Sequence, residues 1–398
     1  MVKVEHSILD DLEKMVPNLR SRGCEAEKSG RIPDETLSEL EKIGAMRAVV
    51  PAIHGGNEVE FPVIPQIFRV LGRGCVATSW TMGFLIYHNF QFAHFPEETQ
   101  KEVFSGRGYT MAPGHVMPSG EAREVEGGFE ITGRWNWCTG IQHADWVLFS
   151  APVVKGDAES QKNDPHSRDL RRFFVPADKC KVINNWDVSA MSASGSFDME
   201  LEKVFVPEHH QIKVESVATR TSPGLETNNG PLWRVPFITF ASIGAIGAII
   251  GGTEGLLEIV SKILETKVGG HTRARQQDVM TQQVRIARLS TSFKSLLKLW
   301  EDKIDFIWEN VVQGREITLE DRIEARMVVS HCAKCCDEIT NELAVSVGSR
   351  SIYNDSHVQR FRREINALAT HAFFDHDSIA RLHGSSLLGL ELEPNNMV

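Results

Sequence analysis

The sequence predicts a mainly helical α+β protein in three successive parts, helical, β and helical again, and three observations carry that reading. Apolar residues recur at helical spacing along the N-terminal third. Short alternating segments cut by Gly and Pro fill the middle, and helical periodicity returns beyond Pro236 and persists to the end. A chain of 398 residues also exceeds the roughly 250 to 300 at which a single core stops growing. We therefore expect an α-helical domain over residues 1–108, a β domain over 109–220 and a helix bundle over 221–398.

In Ile32-Pro33-Asp34-Glu35 a proline and two acids open a helix, Leu37, Leu40 and Ile43 recur on one face, and Gly44 closes it. Val49-Val50-Pro51 and His54-Gly55-Gly56 break the pattern. A second helical run from Pro62 to Arg73 then leads into Thr78 to Phe95. From Tyr109 onward, strands are predicted at Arg123–Val125, Phe129–Thr132, Trp146–Ala151, Arg172–Val175 and Phe197–Val204, with Lys155–Arg168 as an exposed hairpin loop. In the last part, Leu256, Ile259 and Ile263 mark one amphipathic helix and Phe293, Leu297, Trp300 and Ile304 another.

Composition narrows the function. Hydrophobic residues at 41% and charged residues at 24% give the balance of a globular protein, neither disordered nor membrane-embedded. A net charge of -10 without any Lys/Arg-rich run argues against nucleic acid as a partner. The most apolar stretch, Phe237 to Gly252, is shorter than the ~20 residues of a membrane span and reads as a buried core helix. Its glycines, Gly244, Gly247, Gly251 and Gly252, follow no strand and lack dinucleotide-loop spacing, so they point to close helix packing. Seven cysteines and an acidic N-terminus without a signal-peptide pattern suit reduced thiols in the cytoplasm. His331, Cys332, Cys335 and Cys336 crowd one helical stretch, but no second ligand pair stands at finger spacing, and no metal is expected.

The most informative segment is Gly133-Arg134-Trp135-Asn136-Trp137-Cys138-Thr139-Gly140, followed by His143-Ala144. It sets the Thr139 hydroxyl beside a glycine and among tryptophans, which suits a flat ring that needs one hydrogen bond at its edge. The plain alternative is a strand end with core tryptophans. Here the sequence resembles the oxygenase components of two-component flavin-dependent aromatic monooxygenases of the acyl-CoA dehydrogenase superfamily. These include the 4-hydroxyphenylacetate and secosteroid-phenol hydroxylases and dibenzothiophene monooxygenase. Their pattern is tryptophan, two small hydroxyl residues, glycine, then His-Ala. Cysteine stands at the first hydroxyl position here, Cys138, and Thr139 keeps the second. The likeness extends through Arg31-Ile32-Pro33-Asp34-Glu35, Cys75 to Trp80, Trp186, Ser194-Gly195-Ser196, Val204-Phe205-Val206-Pro207 and Met397-Val398.

The resemblance implies the acyl-CoA dehydrogenase fold, with a barrel-like middle domain and a C-terminal four-helix bundle. It also implies a homotetramer and reduced FMN or FAD arriving from a separate flavin reductase. Oxygen would add to the flavin as a C4a-hydroperoxyflavin and pass to a small phenol- or indole-type substrate. By the same resemblance, Thr139, Trp137 and Ser196 approach the flavin, with Thr139 at N5, and His371 serves the flavin peroxide. His88, with Trp80 and Phe84, lines the substrate pocket. An imidazole at His88 would accept a phenolic proton. Asp375, four residues after His371, would share its helical face and orient it. Two alternatives stay open: N- or S-oxygenation by the same intermediate, and acyl-CoA dehydrogenation. The latter needs a carboxylate base where this chain reads Phe373-Phe374-Asp375-His376-Asp377.

Overall fold

A computed structural model describes residues 2–115, 117–154, 169–269 and 273–392, with side chains from residue 8 onward. The loop expected over 155–168 and the terminal Met397-Val398 lie outside the described residues.

Six helices precede the sheets: α1 (Val2–Ser29), α2 (Asp34–Lys42), α3 (Val63–Gly74), α4 (Val76–Tyr87), α5 (Asn89–Phe92) and α6 (Glu97–Phe104). The local signals account for α2. Pro33 at its N-cap holds φ at -62°, and Gly44 beyond its end takes a φ of 79° that most L residues avoid.

Among the described residues eight strands follow: β1 (Gly114–His115), β2 (Glu121–Val125), β3 (Gly128–Cys138), β4 (Trp146–Pro152), β5 (Leu170–Pro176), β6 (Lys181–Ile183), β7 (Phe197–Pro207) and β8 (Gln211–Lys213). They form two four-stranded sheets, ordered β1-β4-β5-β8 and β2-β3-β7-β6. Phe129, Trp135, Phe149, Phe173 and Val175 fill the apolar layer of this β part. Phe174 belongs instead to the main helical core. Side chains alternate along a strand, so Arg172 shares the face of Phe174 and looks toward the helices. The short strands β1, β6 and β8 escaped prediction because so few residues show no period.

The chain closes with α7 (Val214–Ala218), α8 (Phe237–Thr266), α9 (Met280–Val312), α10 (Leu319–Val347), α11 (His357–Ala369) and α12 (His376–Leu387). By length and composition α8 is apolar enough to cross a membrane, yet 83% of its most apolar window is buried inside the fold. It is the central core helix. Its glycines let α3 lie directly against it: a Cβ at Gly251 would fall 1.9 Å from the Arg69 carbonyl oxygen. Ion pairs rim that contact, with Arg69 Nε 2.8 Å from Glu254 and Arg73 2.8 Å from Glu258.

Helix α4 matters most for function, and its start is secured from a distance. Its N-cap, Cys75, supplies no side-chain cap. Instead the Ala77 amide donates to Glu364 Oε2 of α11 at 3.2 Å. Burial pushes the Glu364 carboxyl up to about 7, with Arg360 pulling the other way.

Candidate active site

The motif strand β3 ends in an irregularity that presents its last tryptophan. Trp135 stands opposite Met199 and Cys138 opposite Phe197, so Asn136 and Trp137 together face Asp198, a β-bulge. Trp137 takes a φ of 60° and is 65% exposed. A bulky residue in that region carries strain of about 1–3 kcal/mol. Asp198 holds the bulge by accepting the Trp137 amide at 3.2 Å and Arg134 at 2.7 Å. Cys138 turns inward and packs in the β core. The departure from the expected hydroxyl at that position therefore falls on a packing side chain.

Thr139 follows, and Gly140 turns the chain with φ 78°. A Cβ on Gly140 would lie 3.0 Å from Thr81 and 3.2 Å from Leu85, so the glycine lets this turn rest on α4. Three hydroxyls then line up: Thr139 Oγ1 is 3.0 Å from Ser196 Oγ, which is 2.7 Å from Ser194 Oγ. Ser194 also accepts the Gly140 amide through its carbonyl at 2.9 Å. In the short turn beyond, His143 is buried with Nε2 unpartnered, and burial aided by the charge of Arg31 lowers its pKa to about 4.

Along α4, Trp80, Phe84 and His88 recur every four residues and form one stripe. Trp80 and Phe84 meet edge to face at 4.6 Å, and Phe84 and His88 lie 5.5 Å apart. His371, from the segment after α11, joins the other end with its ring 5.1 Å from Trp80. The two histidines thus bracket one aromatic wall, while the Thr139 turn rests on the neighbouring stripe of the same helix.

The two imidazoles are fixed in opposite senses. His88 Nδ1 lies 2.6 Å from the Ala112 carbonyl, which can only accept, so Nδ1 carries the proton and Nε2 presents a lone pair. Burial, with the charge of Arg172, drives its pKa down to about 3. In the free protein His88 is thus a hydrogen-bond acceptor rather than the near-neutral base expected from the sequence. His371 Nδ1 accepts the Phe373 amide at 3.2 Å, so its proton sits on Nε2. Burial, then the charge of Arg326, lowers its pKa to about 4.

Asp375 corrects an expectation. Helix α11 ends at Ala369, and His371 to Asp375 forms a separate turn, so the two do not share a helical face. Asp375 is exposed and caps α12, accepting from Ser378 Oγ at 2.5 Å. In the His331 cluster, Cys335 Sγ lies 3.5 Å from His331 Nε2, while Cys332 and Cys336 are buried in the core. The structure gathers a different trio, Glu102, His209 and His210, with ligand atoms within 4.8 Å of one another. Glu102 Oε2 is already 2.7 Å from His210 Nε2.

Sequence reasoning missed Arg172, Gln91, His94 and Arg326. All four are buried. Arg326 leaves Nε and one terminal nitrogen unpartnered and lies 5.6 Å over the Phe373 ring. The one available signal was a charge inside the apolar strand run at Arg172.

Helices, a two-sheet middle and a closing bundle define the acyl-CoA dehydrogenase fold. Residues 243–376 match the family described as acyl-CoA dehydrogenase, C-terminal domain. More narrowly, the chain is similar over nearly its whole length to oxygenase components of flavin-dependent monooxygenases. It is 26% identical over 385 residues, 96% of each chain, to a pigment production hydroxylase of a Rhodococcus species. It is 25% identical to the p-hydroxyphenylacetate 3-hydroxylase oxygenase component of Acinetobacter baumannii, over 98% of this chain and 90% of that one. Among solved structures, a 3-HSA hydroxylase from a Rhodococcus species superposes with a TM-score of 0.90 at 26% identity, covering 99% of both chains.

Proposed function

We propose that this protein is the oxygenase half of a two-component system that hydroxylates a phenol- or indole-type substrate, using reduced FMN or FAD from a separate flavin reductase. The observation that carries this reading is the pair of neutral histidines bracketing the Trp80–Phe84 wall, one offering a proton and the other a lone pair. The residues present suit a flavin. Exposed Trp137 offers a flat apolar face, the hydroxyl row ends at partly buried Thr139, and His371 Nε2–H has no partner among the described residues.

Reduced flavin, when bound here, would supply the chemistry that activates O2 for transfer to the substrate. Thr139 would hold the edge of the flavin ring through its hydroxyl, whose rotor Ser196 fixes. Trp137 covers the ring. His371 donates from Nε2 to the reacting oxygen; it does so as a neutral donor, because its pKa is about 4. His88 accepts a hydrogen bond from the phenolic hydroxyl, which raises electron density on the ring carbon that is attacked. Trp80 and Phe84 keep water away.

Acyl-CoA dehydrogenation is disfavoured because Asp375, the nearest match to its base, is exposed and occupied as a cap. Glu364, buried with a raised pKa, is engaged with the start of α4. N- or S-oxygenation would leave the His88 acceptor without a role. Self-association as a homotetramer fits the apolar Met280, Val284, Leu299, Phe306 and Val312 exposed along α9. Seven unpaired cysteines suit a cytoplasmic enzyme.

The test is anaerobic mixing with reduced FMN or FAD, then with oxygenated buffer, while near-ultraviolet absorbance is followed. A long-lived oxygen adduct that decays faster with phenols or indoles is expected. Immediate return to free oxidised flavin would sink the reading.

A further inference from the structure

A cavity of about 130 Å³ opens where β5, the segment after α5 and the start of α8 meet. Phe95, Val217 and Phe237 give it apolar walls, and Arg172, Gln91 and His94 give it a polar end. Arg172 is only 7% exposed. It donates to Gln91 Oε1 and lies 5.3 Å over the Phe237 ring. Among the described residues no carboxylate lies within ion-pair distance of it, and a buried cation without a counter-charge is costly to keep.

Its neighbours point the same way. The carbonyl of Gln91 is taken by Arg172, which leaves the Gln91 amide nitrogen buried with no acceptor. His94 Nδ1 is 2.8 Å from Ser222 Oγ, and its buried Nε2 has no partner. When the Ser222 hydroxyl donates to Nδ1, Nε2 carries the proton. Two buried donors, Gln91 Nε2 and His94 Nε2, then stand without an acceptor beside Arg172, whereas buried polar groups are nearly always paired. Arg322 also borders the cavity, with its Nε donating to the Thr318 carbonyl at 3.4 Å. The cavity adjoins the proposed substrate pocket: Phe237 lies 6.2 Å from Tyr87, whose ring is 5.1 Å from that of His88.

We infer that this cavity seats a carboxylate borne by the aromatic substrate, with Arg172 as its counter-charge, Gln91 and His94 as flanking donors, and the ring reaching toward His88. The inference rests on the proposed aromatic oxygenation. A planar guanidinium matches a carboxylate through two parallel hydrogen bonds. The flavin phosphate is the other anion available, and the experiment separates the two.

Isothermal titration of the protein saturated with reduced FMN under argon would compare 4-hydroxyphenylacetate with 4-hydroxyphenylacetamide, which keeps the ring and loses the charge. We expect the acid to bind at least about tenfold more tightly. Arg172→Gln is expected to erase that preference while leaving amide affinity within about twofold. Arg172→Lys, which keeps the charge without the fork, should fall between. Equal binding of acid and amide by the wild type overturns the inference, and that comparison stands even when a variant fails to fold. So does an Arg172→Gln protein that weakens reduced FMN but not reduced riboflavin, which would assign the site to the phosphate. A normal oxygen adduct without acid preference sinks this inference alone. Acid preference without any adduct leaves the anion site standing and sinks the oxygenation.

Discussion

The Phe373 amide donates to His371 Nδ1 across 3.2 Å, and that single bond decides which nitrogen of the ring can give a proton away. We expect His371→Ala to cut the product formed per O2 consumed by about 10²-fold, the usual scale for one lost donor at a developing oxyanion. Released H2O2 should rise in step. Coupling measured with an oxygen electrode and product chromatography checks this; unchanged coupling would remove His371 from the reaction.

Arg326 gives the same residue a pH signature. Its charge, secondary to burial, helps hold the His371 pKa near 4, so the neutral ring persists well into the acid range. Arg326→Met removes a positive neighbour, so the pKa rises toward the ordinary value of about 6.5. The acid limb of the variant's pH–rate profile should therefore move to higher pH. A limb that stays put shows that Arg326 does not act through His371.

Gly114 controls the space beside the second histidine. A Cβ there would lie 2.9 Å from His88 Cε1 and 3.2 Å from Nε2. Gly114→Ala is expected to raise substrate KM by about tenfold while leaving the reaction of reduced flavin with O2 unaffected in stopped-flow traces. Equal damage to both would mean that the site as a whole had collapsed.

Glu364 couples stability to pH. Its folded pKa of about 7 exceeds the ordinary carboxylate value, so its contribution is fully present below about 4.5 and is lost as pH rises through 7. Relative to wild type, Glu364→Gln should gain stability progressively across that window, about 3 kcal/mol in total, and then level off. Chemical denaturation at a series of pH values reads this, and a flat difference would contradict the assigned pKa.

Much of the frame was legible because local rules decided it. Pro33 and Gly44 bound α2, the longer strands announced themselves by alternation, and α8 by its apolar run. Trp80, Phe84 and His88 are spaced by four, so their common stripe was readable once α4 was assigned. Asp375 was misread because a helix was assumed through residues 371–375, where the chain instead turns and starts α12. Arg172 was missed for a different reason. Sequence shows two adjacent arginines in one strand but not which faces inward, nor that no carboxylate reaches it. Glu364 and Arg326 lie on helices amid ordinary polar residues, and only the packing of distant segments reveals that they are buried.

The glycine contact between α3 and α8 also bears on how this scaffold can change. A side chain at Gly251 has nowhere to go, and α3 leads directly into the helix that carries the histidine wall. By contrast, Val217, Ala218 and Ile238 border a cavity without supporting that contact. Adaptation to new substrates, in nature or in a mutant library, therefore has a rigid chassis and a replaceable lining: diversity belongs around the cavity, and the helical seam should be left invariant.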